Sequence, residues 1–210
     1  MQIVVFGASG KVGRIVVAEL LKDGHKVIAF VHSTNPFNSD DNLRIFKGDI
    51  HSDNDVEEAT KGVNIVICTL GSWGTKKKDV VSSGMKNIIT SMKANNISRV
   101  VSITGADALA PDDKKTILSK MTHLLISLSP AKTILKDGEK HIELLTESKL
   151  NWSILRSPAM NNRGNSKYYR ITDKRPKPWQ TINRKSVALA IVALIIDQNS
   201  YQKSPFIARK

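Results

Sequence analysis

The chain has 210 residues, of which 40% are hydrophobic and 24% are charged, a composition typical of a globular protein rather than a disordered one. A single cysteine, Cys68, excludes an intramolecular disulfide, and no histidine or carboxylate spacing is typical of a metal site. The longest apolar run, residues 187–196, is too short to cross a bilayer. We therefore expect one domain spanning residues 1–210, in the cytoplasm, without a signal peptide.

The formal net charge is +13, which raises the question of an anionic partner. The lysines are scattered along the chain, and the longest run, residues 76–78, has no aromatic residue nearby except Trp73. We therefore expect neither nucleic acid as a main function nor a membrane as a partner. A basic surface that favours a phosphorylated small molecule fits the pattern better, in a monomer or homodimer.

The first motif is a glycine-rich turn between an apolar run and an amphipathic stretch. Residues 3–6 read IVVF, residues 7–13 read GASGKVG, and the amphipathic stretch stops at Gly24. A strand, a turn and a helix in this order present backbone amides and the positive helix end to a phosphate. The spacing differs from the usual dinucleotide fingerprint G-x-G-x-x-G, so a plain strand-to-helix turn is the alternative.

Each glycine of this turn has its own expected task. Gly7 lets the chain turn sharply after the strand. Gly10 has no side chain, so a pyrophosphate can approach the backbone, and Gly13 allows the helix to pack closely on a sheet.

Strand-like and helix-like segments alternate along most of the chain. Apolar, β-branched runs predict strands at 2–6, 26–31, 43–46, 63–70, 97–103 and 151–155, with helices at 11–23, 53–61, 79–95, 134–149 and 184–198 and a last strand near 205–208. Strands that are apolar throughout, separated by helices, indicate a parallel sheet covered on both faces. The predicted fold is α/β, a doubly wound (Rossmann) parallel sheet with its ligand at the carboxyl ends of the strands.

Two stretches depart from this alternation. Residues 114–128 predict an amphipathic helix, which would be a core helix or dimer contact, a lid over a site, or a helix on a membrane surface. Residues 157–183 are rich in Asn, Arg, Lys and Pro, and we interpret them as a small C-terminal excursion of loops and short strands on the substrate side.

With these segments in place, the chain resembles the atypical short-chain dehydrogenase/reductases. Within them it is most similar to the branch of NmrA-like proteins and flavin reductases of the biliverdin reductase B type. The segments that carry the resemblance are FGASGKVG (6–13), GDI (48–50), IVICTLGS (65–72), SSGMKNIITSMKANNISRVVSITG (82–105), LLTESKLNWSILRSPAM (144–160) and INRKSVALAIVALI (182–195).

The resemblance implies a dinucleotide site made from these segments. The pyrophosphate would lie on the glycine turn, the adenine after the third strand, the ribose after the fourth, and the nicotinamide at the ends of the fifth and sixth strands. The implied residues are Gly7, Ser9, Gly10, Lys11, Val12 and Gly13; Asp49 and Ile50; Leu70, Gly71 and Ser72; and Thr104 with Pro158, while Gly105 and Met160 would face the substrate.

The end of the second predicted strand favours NADP over NAD. NAD-binding proteins usually place an acid there, but no acid occurs between His32 and Asp40. His32 stands where the family has an arginine, and the hydroxyl groups of Ser33 and Thr34 would donate hydrogen bonds to a 2′-phosphate.

The chain lacks the catalytic tyrosine and lysine of the alcohol-oxidising short-chain dehydrogenases. No tyrosine precedes Tyr168, so the helix predicted at 134–149 cannot supply the pair. The resemblance then implies hydride transfer to a flavin, a quinone or a similar planar acceptor, because the cofactor carries the difficult chemistry. Candidate catalytic residues are Thr104 and His141, although His141 would otherwise be a partly exposed helix residue. The alternative is a non-catalytic redox sensor of the NmrA type.

Overall fold

The computed structural model describes residues 1–72, 78–111, 113 and 116–210. Lys76 and Lys77 of the lysine run, Trp73, and the first two residues of the predicted amphipathic helix lie outside the described residues. In the described ranges, no helix has both the length and the apolar character needed to span a membrane.

The elements follow the predicted alternation closely. The strands are β1 (Gln2–Phe6), β2 (Lys26–Val31), β3 (Leu43–Lys47), β4 (Ile65–Cys68), β5 (Arg99–Gly105), β6 (Asn151–Ser157), β7 (Ala159–Asn161), β8 (Tyr169–Thr172), β9 (Thr181–Asn183) and β10 (Phe206–Arg209). The helices are α1 (Gly13–Lys22), α2 (Asp53–Thr60), α3 (Val80–Ala94), α4 (Ile117–Ser127), α5 (Lys132–Glu147) and α6 (Arg184–Leu194), with a 3₁₀ turn at Gln198–Ser200.

Eight strands form one sheet in the order β3-β2-β1-β4-β5-β6-β10-β8. Every pair from β3 to β10 is parallel, and only β8 runs antiparallel, against β10. The short strands β7 and β9 pair separately and in parallel. The predicted α/β fold with a doubly wound parallel sheet is therefore confirmed, and the carboxyl ends of its parallel strands meet at one edge.

Each sheet face is covered by its own helices, as the continuous apolar strands require. Phe6 points with Met85 of α3 into the core beneath α2, α3 and α5. Val5, the preceding residue of the same strand, points with Leu20 and Ile191 into the core beneath α1 and α6. Full burial of one such side chain contributes about 1.5–3 kcal/mol, so both faces stabilise the sheet.

Helix α4 forms within the predicted amphipathic segment, but it is not a core helix. Thr116 begins the helix, and its hydroxyl accepts a hydrogen bond from the Ser119 amide at 3.2 Å. The apolar face nevertheless points outward, so the reading of α4 as a core helix is wrong. Its exposed side chains, 48–81% accessible, are Ile117, Leu118, Met121, Leu124, Leu125 and Leu128.

His141 is a second correction, because it lies inside the core rather than partly exposed. Its side chain is fully buried, and Nε2 lies 2.7 Å from the Ser102 hydroxyl oxygen of β5. Nδ1 has no hydrogen-bond partner among the described residues. Burial lowers the pKa of His141 from its ordinary 6.5 to about 4, although the charge of Asp137 opposes the shift. The imidazole is therefore neutral near pH 7 and is a poor proton donor.

Substitution of Gly13 by Ala should destabilise the fold. An added methyl group would lie 2.2 Å from the Gly7 carbonyl oxygen and 2.9 Å from Ala8 Cα, so backbone atoms must move. We expect a loss of about 2 kcal/mol or more in the free energy of unfolding, measured by urea titration. Gly71→Ala is the matched control, since nothing lies within 4 Å of its added methyl group. Equal stabilities of the two variants would contradict the proposed close approach.

The buried His141 should make the protein less stable as the pH falls. His141 takes up a proton below about pH 6.5 in the unfolded chain, but only near pH 4 in the folded chain. The contribution of the neutral imidazole to the free energy of unfolding is therefore fully present above about pH 6.5 and is lost as the pH falls from 6.5 to 4. Between about pH 7 and pH 5, wild type should lose about 2 kcal/mol more than His141→Gln. Urea titrations at both pH values measure this difference. His25→Gln, a change at a histidine that is only half-buried, should behave as wild type does, and parallel losses in all three proteins would refute the assignment.

Candidate functional site

The strand order reverses between β1 and β4, and in an open α/β sheet such a switch point leaves a crevice at the carboxyl ends of the two strands. From β1 the chain passes through α1 to β2 on one side, whereas β4 lies on the other side. The Thr69 hydroxyl donates to the carbonyl oxygens of Phe6 at 3.0 Å and Gly7 at 3.2 Å, which joins the end of β4 to the start of the glycine turn. In open α/β sheets, such a crevice is where ligands bind.

The glycine turn has the conformation that its sequence predicts. Gly7 has φ +76°, and a methyl group there would lie 2.7 Å from the Thr69 carbonyl carbon. The Gly10 amide donates to the Gly7 carbonyl oxygen at 3.0 Å and closes the turn. The amides of Lys11, Val12 and Gly13 have no acceptor in the described part of the chain, and the start of α1 has no side-chain cap. The first turn of α1 can therefore donate to an anion.

The next site residues lie where β2 and β3 end. The Gly48 amide donates to the Val31 carbonyl oxygen at 3.0 Å, so the chain after β3 crosses the end of β2. Asp49 is exposed at this edge, and its carboxylate accepts the His51 amide at 2.9 Å. The Ile50 side chain turns into the core and is only 8% exposed.

His32 and Ser33 are both exposed immediately after β2. Lys47 also belongs to this corner, because it is the register partner of Val31 and its side chain is exposed. Sequence reasoning missed Lys47, since its position depends on the pairing of β2 with β3. The alternation of side chains along β3 is the sequence pattern from which an exposed Lys47 could have been predicted.

After β4, the Ser72 side chain is buried against helix α5 and does not reach the crevice. The residue is 2% exposed, and its hydroxyl donates to the carboxylate of Asp137 on α5. That carboxylate also accepts the amides of Val81 at 3.2 Å and Ser82 at 2.8 Å, so Asp137 caps the first turn of α3 from a neighbouring helix. Leu70 and Gly71 remain at the edge, where Leu70 is half-buried and Gly71 is exposed. The buried Asp137 was not anticipated; its position one turn before His141 was the only sequence signal.

At the ends of β5 and β6, Thr104 and Gly105 lie beside Arg156 and Ser157 in parallel register. The space over Gly105 is open, with no heavy atom within 4 Å of where a methyl group would lie. On the α5 side, a methyl group at Gly138 would come within 2.7 Å of the Thr104 hydroxyl oxygen, so Gly138 leaves room for this side chain.

Pro158 follows β6 directly and lies at the same edge, while Met160 belongs to β7. Met160 pairs in register with Ile182 of β9, and its side chain packs partly against the core beneath α1 and α6. The structure thus brings the glycine turn, Asp49, Leu70, Gly71, Thr104, Gly105 and Pro158 to one edge. The side chains of Ile50, Ser72 and His141 are instead buried in the protein interior.

Known proteins share this architecture. A short-chain dehydrogenase/reductase from Veillonella parvula, solved with NADP, is 18% identical with a TM-score of 0.78, covering 99% of this chain and 94% of that one. The anaerobilin reductase ChuY of Escherichia coli O157:H7 is 17% identical with a TM-score of 0.76, covering 100% and 97%. A candidate NADH-flavin reductase from Streptococcus pneumoniae is 20% identical with a TM-score of 0.79 and covers both chains fully.

These identities are low, so the three structures establish the fold alone. The sequence profile of the NAD(P)H-binding family matches residues 7–198, from the first glycine of the turn to the end of α6 and beyond. The match includes every strand of the sheet except β1 and β10. The chain therefore belongs to the NAD(P)H-binding family and has a Rossmann fold.

Proposed function

We propose that this protein is an NAD(P)H-dependent reductase that passes hydride to a flavin, a quinone or a similar planar acceptor. The observation that carries the proposal is the edge of the sheet itself. At one end of the crevice lie the amides of Lys11, Val12 and Gly13, which have no acceptor in the ranges that the structure describes, and open space lies over Gly105 at the other end. A dinucleotide spans such a crevice from its pyrophosphate to its nicotinamide.

The residues present fit the cofactor. The pyrophosphate would bind the amides of the glycine turn, with Ser9 and Gly10 beside them, because Gly10 leaves the backbone accessible. Asp49 and the backbone of Ile50 would border the adenine, and Leu70 and Gly71 the ribose. Thr104 and Pro158 would flank the nicotinamide, with Gly105 and Met160 towards the acceptor. When bound, the reduced nicotinamide supplies the hydride.

The chemistry proposed needs no positioned general acid. Helix α5 contains no tyrosine, and the residue that faces Thr104 from this helix is Gly138. His141 is neutral and enclosed, so it does not deliver a proton at the edge. Flavins and quinones accept hydride by stacking on the nicotinamide and take their proton from solvent, whereas a carbonyl group requires an acid.

The alternative is a non-catalytic NAD(P)-binding sensor of the NmrA type. It is favoured by the same enclosed position of His141, which leaves Thr104 as the only proposed catalytic side chain at the edge. Cofactor binding without turnover on any acceptor would support the sensor. In either case we propose one cytoplasmic NAD(P)-binding domain over residues 1–210.

Electrostatics at the end of β2 supports a preference for NADPH over NADH. Lys47 adds a positive charge beside the exposed His32 and Ser33, and a 2′-phosphate carries negative charge that would be attracted there. No acid lies between His32 and Asp40 to hold the ribose hydroxyl groups of NAD.

Charge reversal at this corner should change the cofactor preference. We expect wild type to bind NADPH about tenfold more tightly than NADH, and Lys47→Glu or His32→Asp to remove most of that ratio by repelling the 2′-phosphate. Calorimetric titration of both cofactors measures it. Arg44→Glu is the control, because Arg44 lies on the same strand about 10 Å from Lys47 and pairs with Ile28. An unchanged ratio in Lys47→Glu and His32→Asp would contradict the placement.

Turnover should not depend on a tyrosine. NADPH oxidation against a panel of flavins and quinones tests the reductase, and Tyr168→Phe and Tyr169→Phe should retain rates within a few-fold of wild type. Loss of a general acid would cost about a hundredfold or more. Tyr201→Phe is the matched control, since this ring stacks on Arg99 at the opposite edge of the sheet. A hundredfold loss at Tyr168 or Tyr169 alone would show that the excursion supplies an acid.

A further inference from the structure

A second cavity lies outside the proposed cofactor crevice. It occupies about 1020 Å³ between helices α4 and α5 on one side and strands β6 and β10 on the other. Along β6 it extends from Trp152 to Arg156, a distance of about 13 Å. None of the residues proposed to hold the cofactor lines it. Its size is that of a site for an organic molecule rather than for a simple ion.

The floor of this cavity is apolar, and a cluster of three charged residues, Asp113, Arg156 and Arg175, packs against it. Trp152, Ile142 and Phe206 are buried beneath it. The Arg156 guanidinium lies 3.8 Å and the Arg175 guanidinium 5.2 Å from the centre of the Phe206 ring. The cluster therefore joins two elements of the cavity wall through one aromatic ring.

Asp113 satisfies the two arginines of this cluster. Its carboxylate lies 2.5 Å from Arg156 and 3.0 Å from Arg175. Burial alone would raise the pKa of Asp113, but hydrogen bonds from Arg156 and from the Ala110 amide, with the charges of both arginines, hold it below its ordinary value. The carboxylate is thus ionised and is bound by groups of the cavity wall, namely the two arginines and the Ala110 amide.

The rim of the cavity keeps an excess of positive charge. Among the residues that the structure describes, six cationic side chains line the cavity against three carboxylates, those of Asp107, Asp113 and Asp173. Four exposed lysines of the rim have no salt bridge among the described residues: Lys149, Lys174, Lys177 and Lys203. An apolar floor with a cationic rim complements a ligand that has an apolar body and a negative group.

Lys149 occupies a backbone conformation that usually selects glycine. It follows the C-cap residue of α5 and has φ +63°, in the left-handed region. Glycine is preferred at this position after a helix because it carries no steric penalty there. Here a lysine occupies the position at the mouth of the cavity, although folding alone would favour glycine.

We propose that this cavity is a binding site for a planar aromatic anion, an apolar ring system that carries a phosphate. The rings lie on the apolar floor, and the phosphate binds the rim lysines, Lys149 and Lys203 foremost. The site is separate from the cofactor crevice, and it requires neither turnover nor a bound dinucleotide.

Flavin mononucleotide and riboflavin provide a matched pair of probes that differ by one phosphate. Quenching of flavin fluorescence on wild-type protein should show FMN binding about tenfold more tightly than riboflavin at low salt, with the difference decreasing as salt rises. Lys149→Gly with Lys203→Gln should weaken FMN binding about tenfold and leave riboflavin unchanged. Lys149→Gly should also unfold at the same or a higher temperature than wild type, since it relieves the backbone.

Two control variants show whether the loss of FMN affinity comes from the cavity itself or from a general change in charge or backbone conformation. Asn96→Gly makes the same backbone change at φ +55° in the turn before β5, and Lys93→Gln removes an exposed charge from α3; neither should change FMN affinity. The proposal is overturned if FMN binds no more tightly than riboflavin, or if the rim variant binds FMN as wild type does. It is also overturned if saturating NADP⁺ displaces FMN, because the flavin then occupies the cofactor crevice.

Discussion

The close approach of helix α1 to the ends of β1 and β4 determines the rest of the site. Gly13 brings the first turn of the helix against the Gly7 carbonyl, and the Thr69 hydroxyl binds that same carbonyl from β4. Among the described residues, no side chain caps the helix and its first amides have no acceptor. A binding site for an anion therefore arises from backbone geometry that only glycine permits at Gly7 and Gly13.

Two buried polar contacts then hold the other elements around this edge. Asp137 of α5 caps α3 and accepts the Ser72 hydroxyl, which ties the segment after β4 to two helices. Asp113 binds Arg156 and Arg175, which ties the segment after β5 to β6 and to the C-terminal excursion. Removal of the Asp113 carboxylate would leave two largely buried guanidinium groups without their common partner, at a cost of about 3–5 kcal/mol. These contacts therefore hold Ser72 to α5 and Asp113 to the end of β6.

The sequence predicted most of the fold because its signals are local. Strand β1 and helix α1 appear where an apolar run, three glycines and a helical periodicity place them. The predicted strand at 63–70 is longer than β4, since the apolar residues Val63 and Leu70 lie outside the paired residues Ile65–Cys68.

What sequence reasoning missed depends on tertiary neighbours. The periodicity of α4 identified an apolar face but not what covers it. Lys47 reaches the end of β2 only through strand pairing, and Ser72 and His141 turn inward only because Asp137 and Ser102 are there to bind them.

Calorimetric titration of NADPH into wild type and Gly10→Val tests the central claim most directly. A valine side chain at position 10 would occupy the place proposed for the pyrophosphate, next to the Gly7 carbonyl oxygen, which lies 3.1 Å from the first carbon added there. We expect one NADPH to bind per wild-type chain, and a folded Gly10→Val to lose at least a hundredfold in affinity, about 3 kcal/mol. A folded variant that binds NADPH as tightly as wild type would show that the cofactor lies elsewhere.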